Sequence, residues 1–229
     1  MIVAIHIPKT AGSSFRSILR GAFGDRICFD YGDGSGLNTP ELNARRTMRA
    51  DEMRGRRDEL LRDYDAIYGH FIADKYLNIF PQVHFSAFLR DPYQQTASLY
   101  HFLSRDHPGK EYVHPAVAEF KRVRPTLPEF VAVAGNVQSG FLGKLTVSDL
   151  AMVGLTEQYE RSSALFGAVF NREMQPTENR VNVNPQRQHD RYEINESLRK
   201  AVDRHSAADV EAYRRACELF TRLTARYDV

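Results

Sequence analysis

The chain has 229 residues, and its 31 Lys and Arg against 29 Asp and Glu give a formal net charge of +2. This length is ample for one α/β domain with a sizeable core. So small a net charge argues against a general nucleic-acid binder, which carries a clustered basic face. Any anion site must therefore be local and built from a few placed groups.

Compartment signals favour a soluble, cytoplasmic protein. Cys28 and Cys217 are too few and too far apart for a disulfide framework, so two reduced thiols are expected. No apolar run reaches the roughly 18 residues needed to cross a bilayer, and the N-terminus lacks a signal-peptide pattern. The sequence opens directly in a predicted strand, so no stem or anchor is expected.

The first predicted elements alternate between strand and helix. Residues 2–7 (IVAIHI) are rich in β-branched residues and precede a proline, which predicts a buried strand. Apolar residues recur at helical spacing from Ser13 onwards. Residues 26–31 predict a second strand. Residues 39–63 carry both signs of charge and predict a solvated helical hairpin, although their arginines could alternatively face an anionic substrate.

The later elements continue this alternation. Strands are predicted at 66–68, 83–89 and 152–155, and helices at 93–103, about 157–170, 195–205 and 207–227. Residues 108–145 are broken by prolines and glycines into short helices and loops, and residues 177–189 are polar and irregular. Strands alternating with helices argue for an α/β fold with a parallel sheet covered on both faces. Ligands of such a sheet bind at the carboxyl ends of its strands.

The first motif, HIPKTAGSSF at residues 6–15, lies between a strand and a helix N-terminus. The unpaired N–H groups of that terminus suit an oxyanion. Small residues allow the backbone to approach closely, hydroxyls add donors, and a lysine adds a mobile positive charge. The groups of this phosphate cradle would come from Lys9, Thr10, Ala11, Gly12, Ser13 and Ser14.

The cradle differs from a Walker A loop, GxxxxGK[ST]. Lys9 precedes the small residues, the upstream glycine is missing, and no Gly-rich nest is evident. No acidic residue obviously closes a strand to hold Mg²⁺. The pattern therefore favours a nucleotide with a single 5′ group over a nucleoside triphosphate. The structural alternative is that Lys9 lies on the surface and Ser13 and Ser14 merely cap the helix.

The second motif, FSAFLRDPYQQTASLYHF at residues 85–102, joins a buried strand to a helix. Pro92 suits the first helical position. Arg90 would project from the strand end into the ligand crevice, where its planar fork suits a phosphate and the hydroxyl of Ser98 can complete the site. The alternative is that Arg90 forms a salt bridge with Asp91 or another carboxylate.

Together the two motifs resemble those of the sulfotransferases that use 3′-phosphoadenosine 5′-phosphosulfate (PAPS), in particular the branch that includes heparan sulfate 2-O-sulfotransferase. The segment Pro8-Lys9-Thr10-Ala11-Gly12-Ser13-Ser14 is similar to that family's 5′-phosphosulfate loop. Arg90 and Ser98 match its 3′-phosphate site in spacing. The resemblance covers residues 2–20 and 66–103, continues weakly at 154–157, and is poor at 31–63 and 108–147.

The resemblance implies a P-loop-like three-layer sandwich, with a central parallel sheet flanked by helices, as a single domain over residues 1–229. Residues 31–63 and 108–145 would form the acceptor side. A polar segment before the last helices would close over the nucleotide. Its candidate contacts are Arg180, Asn182, Asn184 and Arg187.

A Gly-His pair supplies the catalytic base in the 2-O-sulfotransferase branch, and His70 in Tyr68-Gly69-His70-Phe71 matches it. Neutral imidazole also suits the removal of a hydroxyl proton near neutral pH. A carboxylate base remains the main alternative, and His101 is a weaker one. The expected mechanism is in-line: His70 takes the proton, the hydroxyl oxygen attacks sulfur, and Lys9 neutralises charge on the leaving oxygen.

The expected activity is sulfuryl transfer from PAPS, without a metal, to an acceptor hydroxyl. The resemblance makes a glycan or glycolipid the leading acceptor. Two other functions stay open: a small-molecule kinase that uses ATP and Mg²⁺, and a non-catalytic nucleotide-binding protein. The absent Walker pattern argues against the first, and the presence of both Lys9 and His70 argues against the second.

Overall fold

The computed structural model describes residues 1–33, 40–80, 82–105, 120–174 and 191–229. Its strands are β1 (Ile2–Ile5), β2 (Ile27–Asp30), β3 (Ala66–Gly69), β4 (His84–Leu89) and β5 (Met152–Leu155). They form a five-stranded sheet in the order β2-β3-β1-β4-β5, and every neighbouring pair is parallel. The predicted strands therefore all form, and the parallel sheet is confirmed.

The helices follow the predicted alternation. Their bounds are α1 (Gly12–Phe23), α2 (Pro40–Gly55), α3 (Arg57–Asp63), α4 (Asp74–Leu77), α5 (Pro92–Ser104), α6 (Leu127–Ala134), α7 (Val137–Leu142), α8 (Tyr159–Phe170), α9 (Glu196–His205) and α10 (Ala207–Tyr227). The predicted irregular segment at 177–189 and part of the one at 108–145 lie outside the described residues. Among the helices that the structure describes, none combines the length and the apolar character needed to cross a membrane.

Helices cover both faces of the sheet. On one face, the Phe15 ring of α1 lies 4.4 Å from Phe88 of β4 and 5.1 Å from Phe166 of α8, measured between ring centroids. On the other face, Tyr76 of α4 donates a hydrogen bond of 2.8 Å to Asp30 at the end of β2. The three-layer arrangement expected from the sequence is thus present.

The charged segment at 39–63 forms α2 and α3 and has the solvated character that its sequence predicts. Its arginines pair mainly with carboxylates of their own helices or next neighbours, as in Arg54–Asp51, Arg56–Glu59 and Arg62–Asp63. Each helix buries one apolar anchor, Met53 in α2 and Leu60 in α3. These two side chains attach the helices to the core.

The strand order determines where a site can form. β1 lies at the centre of the sheet, between β3 and β4. Because the strands are parallel, the loops that follow these three strands leave the sheet at the same edge and side by side. Those loops begin at His6, His70 and Arg90, so three segments that are far apart in sequence become neighbours.

Candidate functional site

The loop between β1 and α1 has a left-handed backbone at two positions that are not glycine. Lys9 has φ 68° and Ala11 has φ 64°, with Thr10 between them. Left-handed conformations cost an ordinary residue on the order of 1–2 kcal/mol. Alternation of left- and right-handed residues turns successive N–H groups towards one point and forms an anion-binding nest. The cradle therefore has a nest, although the sequence, lacking Gly-rich character, predicts none.

The amide groups of this nest are available. Within the described part of the chain, no acceptor bonds the N–H groups of Thr10, Ala11 or Gly12. The hydroxyl of Thr10 is already used, because Oγ1 donates to the Ile7 carbonyl at 2.9 Å. Thr10 would thus serve an anion through its backbone rather than its side chain. Ser13 is half-buried and Ser14 is buried at the start of α1.

Two side chains, Tyr68 and His6, contact the cradle at Gly12 and hold it in place. The Tyr68 hydroxyl of β3 donates to the Gly12 carbonyl at 2.8 Å. Gly12 also packs so closely on His6 that a Cβ atom there would lie 1.9 Å from the imidazole. Only glycine fits at this position, for reasons of space.

Arg90, directly after β4, points towards the cradle. Its Nη1 donates to the Lys9 carbonyl at 3.3 Å. The two segments that the sequence assigns to opposite ends of one nucleotide therefore lie against each other. Asp91 accepts the Gln94 N–H and caps α5, with Pro92 at the first helical position, as the motif predicts.

Helix α5 presents one face to the cradle. Gln95 Nε2 donates to the Pro8 carbonyl at 3.0 Å, and the Lys9 ammonium lies 4.6 Å from the centre of the Phe102 ring. Ser98 is buried and lies between these two contacts at helical spacing, so it shares their face. The structure thereby brings Lys9, Arg90 and Ser98 into one region.

Positive charge accumulates there. Burial, together with the charges of Arg105 and Arg90, lowers the pKa of Lys9 to about 8. No carboxylate in the described residues pairs with the Lys9 ammonium. A partly buried group of like charges is stable only at a cost, which a bound anion would remove. This is the electrostatic character expected of a phosphate site.

Sequence reasoning missed the residues that fix Arg90. The Gln138 amide of α7 brackets the Arg90 backbone: Oε1 accepts its N–H at 2.9 Å and Nε2 donates to its carbonyl at 2.8 Å. Asp209 of α10 in turn accepts the N–H groups of Gln138 and Ser139 at 3.0 and 2.7 Å. Gln138 lies in the segment expected on the acceptor side, and no local signal in the sequence connects it to Arg90.

Two contacts from the β5 end support the same turn. Glu157 accepts the Asp91 N–H at 3.1 Å, and the Thr156 hydroxyl donates to the Leu89 carbonyl at 3.1 Å. The weak match at residues 154–157 therefore has a physical role, which is to hold the strand end that carries Arg90.

His70 follows β3 and stacks on His6, with ring centroids 4.0 Å apart. Its Nδ1 lies 2.5 Å from the His6 carbonyl oxygen. Because a carbonyl can only accept, Nδ1 carries the proton, and Nε2 is the basic nitrogen of the neutral ring. Gly69 permits this placement, since a Cβ there would lie 1.6 Å from the Asp30 carbonyl oxygen.

His6 belongs to the packing of the site. It is 8% exposed and stacks on Tyr68, and its Nδ1 lies 2.9 Å from the Tyr31 hydroxyl. Burial, followed by the charges of His70, Arg16 and Lys9, lowers the pKa of His6 well below its ordinary value. A neutral His6 can pack against the cradle without adding to its charge.

Asp30 closes β2, although the sequence shows no obvious acidic residue at a strand end. Lys75 donates to Asp30 and Asp33 at 2.6 Å each in a buried cluster. Burial raises the pKa of Asp30, but Lys75 more than offsets this and lowers it overall. For Asp33 burial prevails and raises the pKa. Both carboxylates are engaged by Lys75, which makes them poorer base candidates than His70.

The remaining candidates lie elsewhere. His101 stacks on Tyr192 at 5.0 Å between centroids, one turn beyond Ser98. Arg180, Asn182, Asn184 and Arg187 lie outside the described residues, so their contacts with a nucleotide stay a prediction.

Comparisons with known proteins are sparse. No protein-family model matches the chain, and no curated protein matches it. A solved sulfotransferase from Alicyclobacillus acidocaldarius is 16% identical, with a TM-score of 0.49 over 99% of this chain and 95% of that one. Mouse sulfotransferase SULT7A1, solved with PAP, is 12% identical, with a TM-score of 0.38 over 76% and 60%. Likeness at this level assigns no activity, so function rests on the site itself.

The close packing of Gly12 on His6 can be tested with a matched pair in one helix. Gly12→Ala should cost about 1–3 kcal/mol of unfolding free energy, since the His6 ring is held between Tyr68 and His70 and cannot yield. Gly21→Ala meets no atom within 4 Å and should instead gain up to about 1 kcal/mol. Urea denaturation measures both; equal effects of the two substitutions would contradict the packing described here.

Proposed function

We propose that this protein is a sulfotransferase that moves a sulfuryl group from PAPS to an acceptor hydroxyl, on a glycan or glycolipid. The observation that carries the proposal is the contact of Arg90 with the Lys9 carbonyl. It supports a site in which one nucleotide is bound at both of its phosphate-bearing ends. The proposal agrees with the motif resemblance and with the concentration of positive charge around Lys9.

The residues of the site suit the donor. The amide groups of Thr10, Ala11 and Gly12 would bind the 5′-phosphate, and Arg90 with Ser98 would bind the 3′-phosphate. The donor supplies the sulfuryl group, and no residue of the chain need become covalently modified. A mobile ammonium at Lys9 can neutralise the negative charge that develops on the oxygen leaving sulfur.

His70 would act as the base. Its Nδ1–H is engaged by the His6 carbonyl, which fixes the ring and leaves Nε2 as the acceptor of the hydroxyl proton. The hydroxyl oxygen forms its bond to sulfur as the bond from sulfur to the phosphate oxygen breaks, and the proton moves to Nε2. Positioning and electrostatics would supply most of the acceleration, as in phosphoryl transfer.

Calorimetry with adenosine 3′,5′-bisphosphate (PAP), AMP and ATP tests the nucleotide. PAP should bind without metal and more tightly than ATP with or without Mg²⁺. Arg90→Ala should weaken PAP about 10- to 100-fold, through loss of a charge-assisted contact, and weaken AMP, which lacks the 3′-phosphate, much less. Arg222→Ala, an exposed arginine on α10, is the control. Tighter binding of ATP with Mg²⁺ would support the kinase and refute this proposal.

Lys9 makes donor binding proton-linked. Its pKa of about 8 in the free protein should rise when phosphate binds, because an adjacent anion favours the ammonium. At pH 8, where the phosphates of PAP are already fully ionised, we therefore expect uptake of about half a proton on binding PAP. Calorimetry in buffers of different ionisation enthalpy measures this uptake. Lys9→Met should abolish it; uptake that persists in Lys9→Met would place the titrating group elsewhere.

A substitution at His70 can remove the basic nitrogen and still keep the hydrogen bond to the His6 carbonyl. His70→Asn keeps an N–H donor for the His6 carbonyl but has no basic nitrogen, so turnover should fall about 100-fold or more while PAP affinity stays unchanged. Lys9→Ala should lower turnover by a similar factor. Radiolabelled sulfate transfer to a panel of glycans and glycolipids provides the assay. Near-native turnover of His70→Asn would show that His70 is not the base and would favour a carboxylate instead.

A further inference from the structure

A row of aromatic and cationic side chains leads away from His70 along the edge of the sheet. The Tyr31 ring, just after edge strand β2, lies 5.0 Å from the His70 ring between centroids. The Arg16 guanidinium of α1 lies 5.1 Å from the centre of Tyr31 and 4.7 Å from that of Phe29. Arg20 follows, 5.2 Å from Phe29. The row therefore starts at the proposed base and ends at two positive charges.

These two guanidinium groups stack on aromatic rings, but no opposite charge of the described residues neutralises them. Arg16 and Arg20 are exposed, and no carboxylate of the described residues pairs with either. Like charges four residues apart on a helix destabilise it. At the opposite end of the same sheet edge, by contrast, Arg26 and Arg172 share Asp65 at 2.8 and 2.9 Å.

The sequence also suggested the arginines of residues 39–63 as ligands for an anionic substrate, but they are less available to bind one. Those of α2 and α3 pair mainly with carboxylates within their own segment, as Arg54, Arg56 and Arg62 do. Among the described residues, α1 therefore offers two exposed arginines beside the site that no carboxylate neutralises. An arginine stacked over an aromatic ring still presents its N–H edge outwards, in the geometry that grips a carboxylate or sulfate.

We propose that Arg16 and Arg20, stacked over Phe29 and Tyr31, form a subsite for an anionic group of the acceptor. That group would be a carboxylate or sulfate ester on the molecule that carries the reacting hydroxyl, so the acceptor is an acidic rather than a neutral sugar. The inference rests on the proposed function, because it gives the surface beside His70 an acceptor to bind. It assigns Arg16 and Arg20 a binding role and no part in proton transfer.

Three sugars that differ at one carbon test the subsite: 4-nitrophenyl β-D-glucoside, the glucuronide and the glucoside 6-sulfate. Their affinities for the full chain with saturating PAP can be measured by ligand-observed NMR titration. The two anionic sugars should bind about three- to tenfold more tightly than the neutral one, and the preference should shrink with added salt. A preference for only one of them would identify carboxylate or sulfate as the group recognised.

Charge removal completes the test. Arg16→Gln combined with Arg20→Gln should abolish the preference and leave PAP affinity unchanged, with only a small shift in melting temperature, while Arg222→Gln should keep the preference. A wild type that binds PAP but shows no preference would overturn the subsite alone, and so would a preference that survives the double substitution. Failure of the wild type to bind PAP would instead overturn the proposed function, and with it the acceptor role of this surface.

Discussion

The hydrogen bond from Arg90 to the Lys9 carbonyl joins the two loops on which the candidate site depends. It forms because β1 lies between β3 and β4, so that the loops leaving these strands emerge side by side. Neither loop would make a nucleotide site alone. One offers the amide groups of Thr10, Ala11 and Gly12, and the other offers a guanidinium. Their contact brings both kinds of group, each suited to an anion, into one region.

The site is held in a conformation that its own residues do not favour. Lys9 and Ala11 have left-handed backbones, and Lys9, Arg90 and Arg105 bring positive charges together. Both features cost stability. The surrounding structure compensates through buried, directed contacts, of which the bracket from Gln138, itself fixed by Asp209, is the clearest. A bound anion would relieve the charge, which is how a preorganised site gains affinity.

Two glycines allow the cradle and the loop that carries His70, the proposed base, to pack closely on their neighbours. Gly12 lies against the His6 ring, and Gly69 lies against the Asp30 carbonyl, where no side chain can be accommodated. His70 consequently stacks on His6 and donates to its carbonyl. Tyr31 and Phe29 are half-buried beside α1, where Arg16 and Arg20 stack on them. The proposed base and the proposed acceptor subsite thus lie side by side, with the Tyr31 ring next to both.

The sequence by itself determined the strands, most helices and the two loop motifs, because buried strands, helix periodicity and the Asp91-Pro92 turn are local signals. Tertiary structure alone decided the strand order, and with it the contact of Arg90 with the Lys9 carbonyl and of His70 with His6. It also decided the left-handed nest and the bracket from Gln138, 48 residues from Arg90. Such features depend on which segments pack together in space. A local sequence pattern covers only neighbouring residues, so it does not reveal contacts between segments that are far apart in the chain.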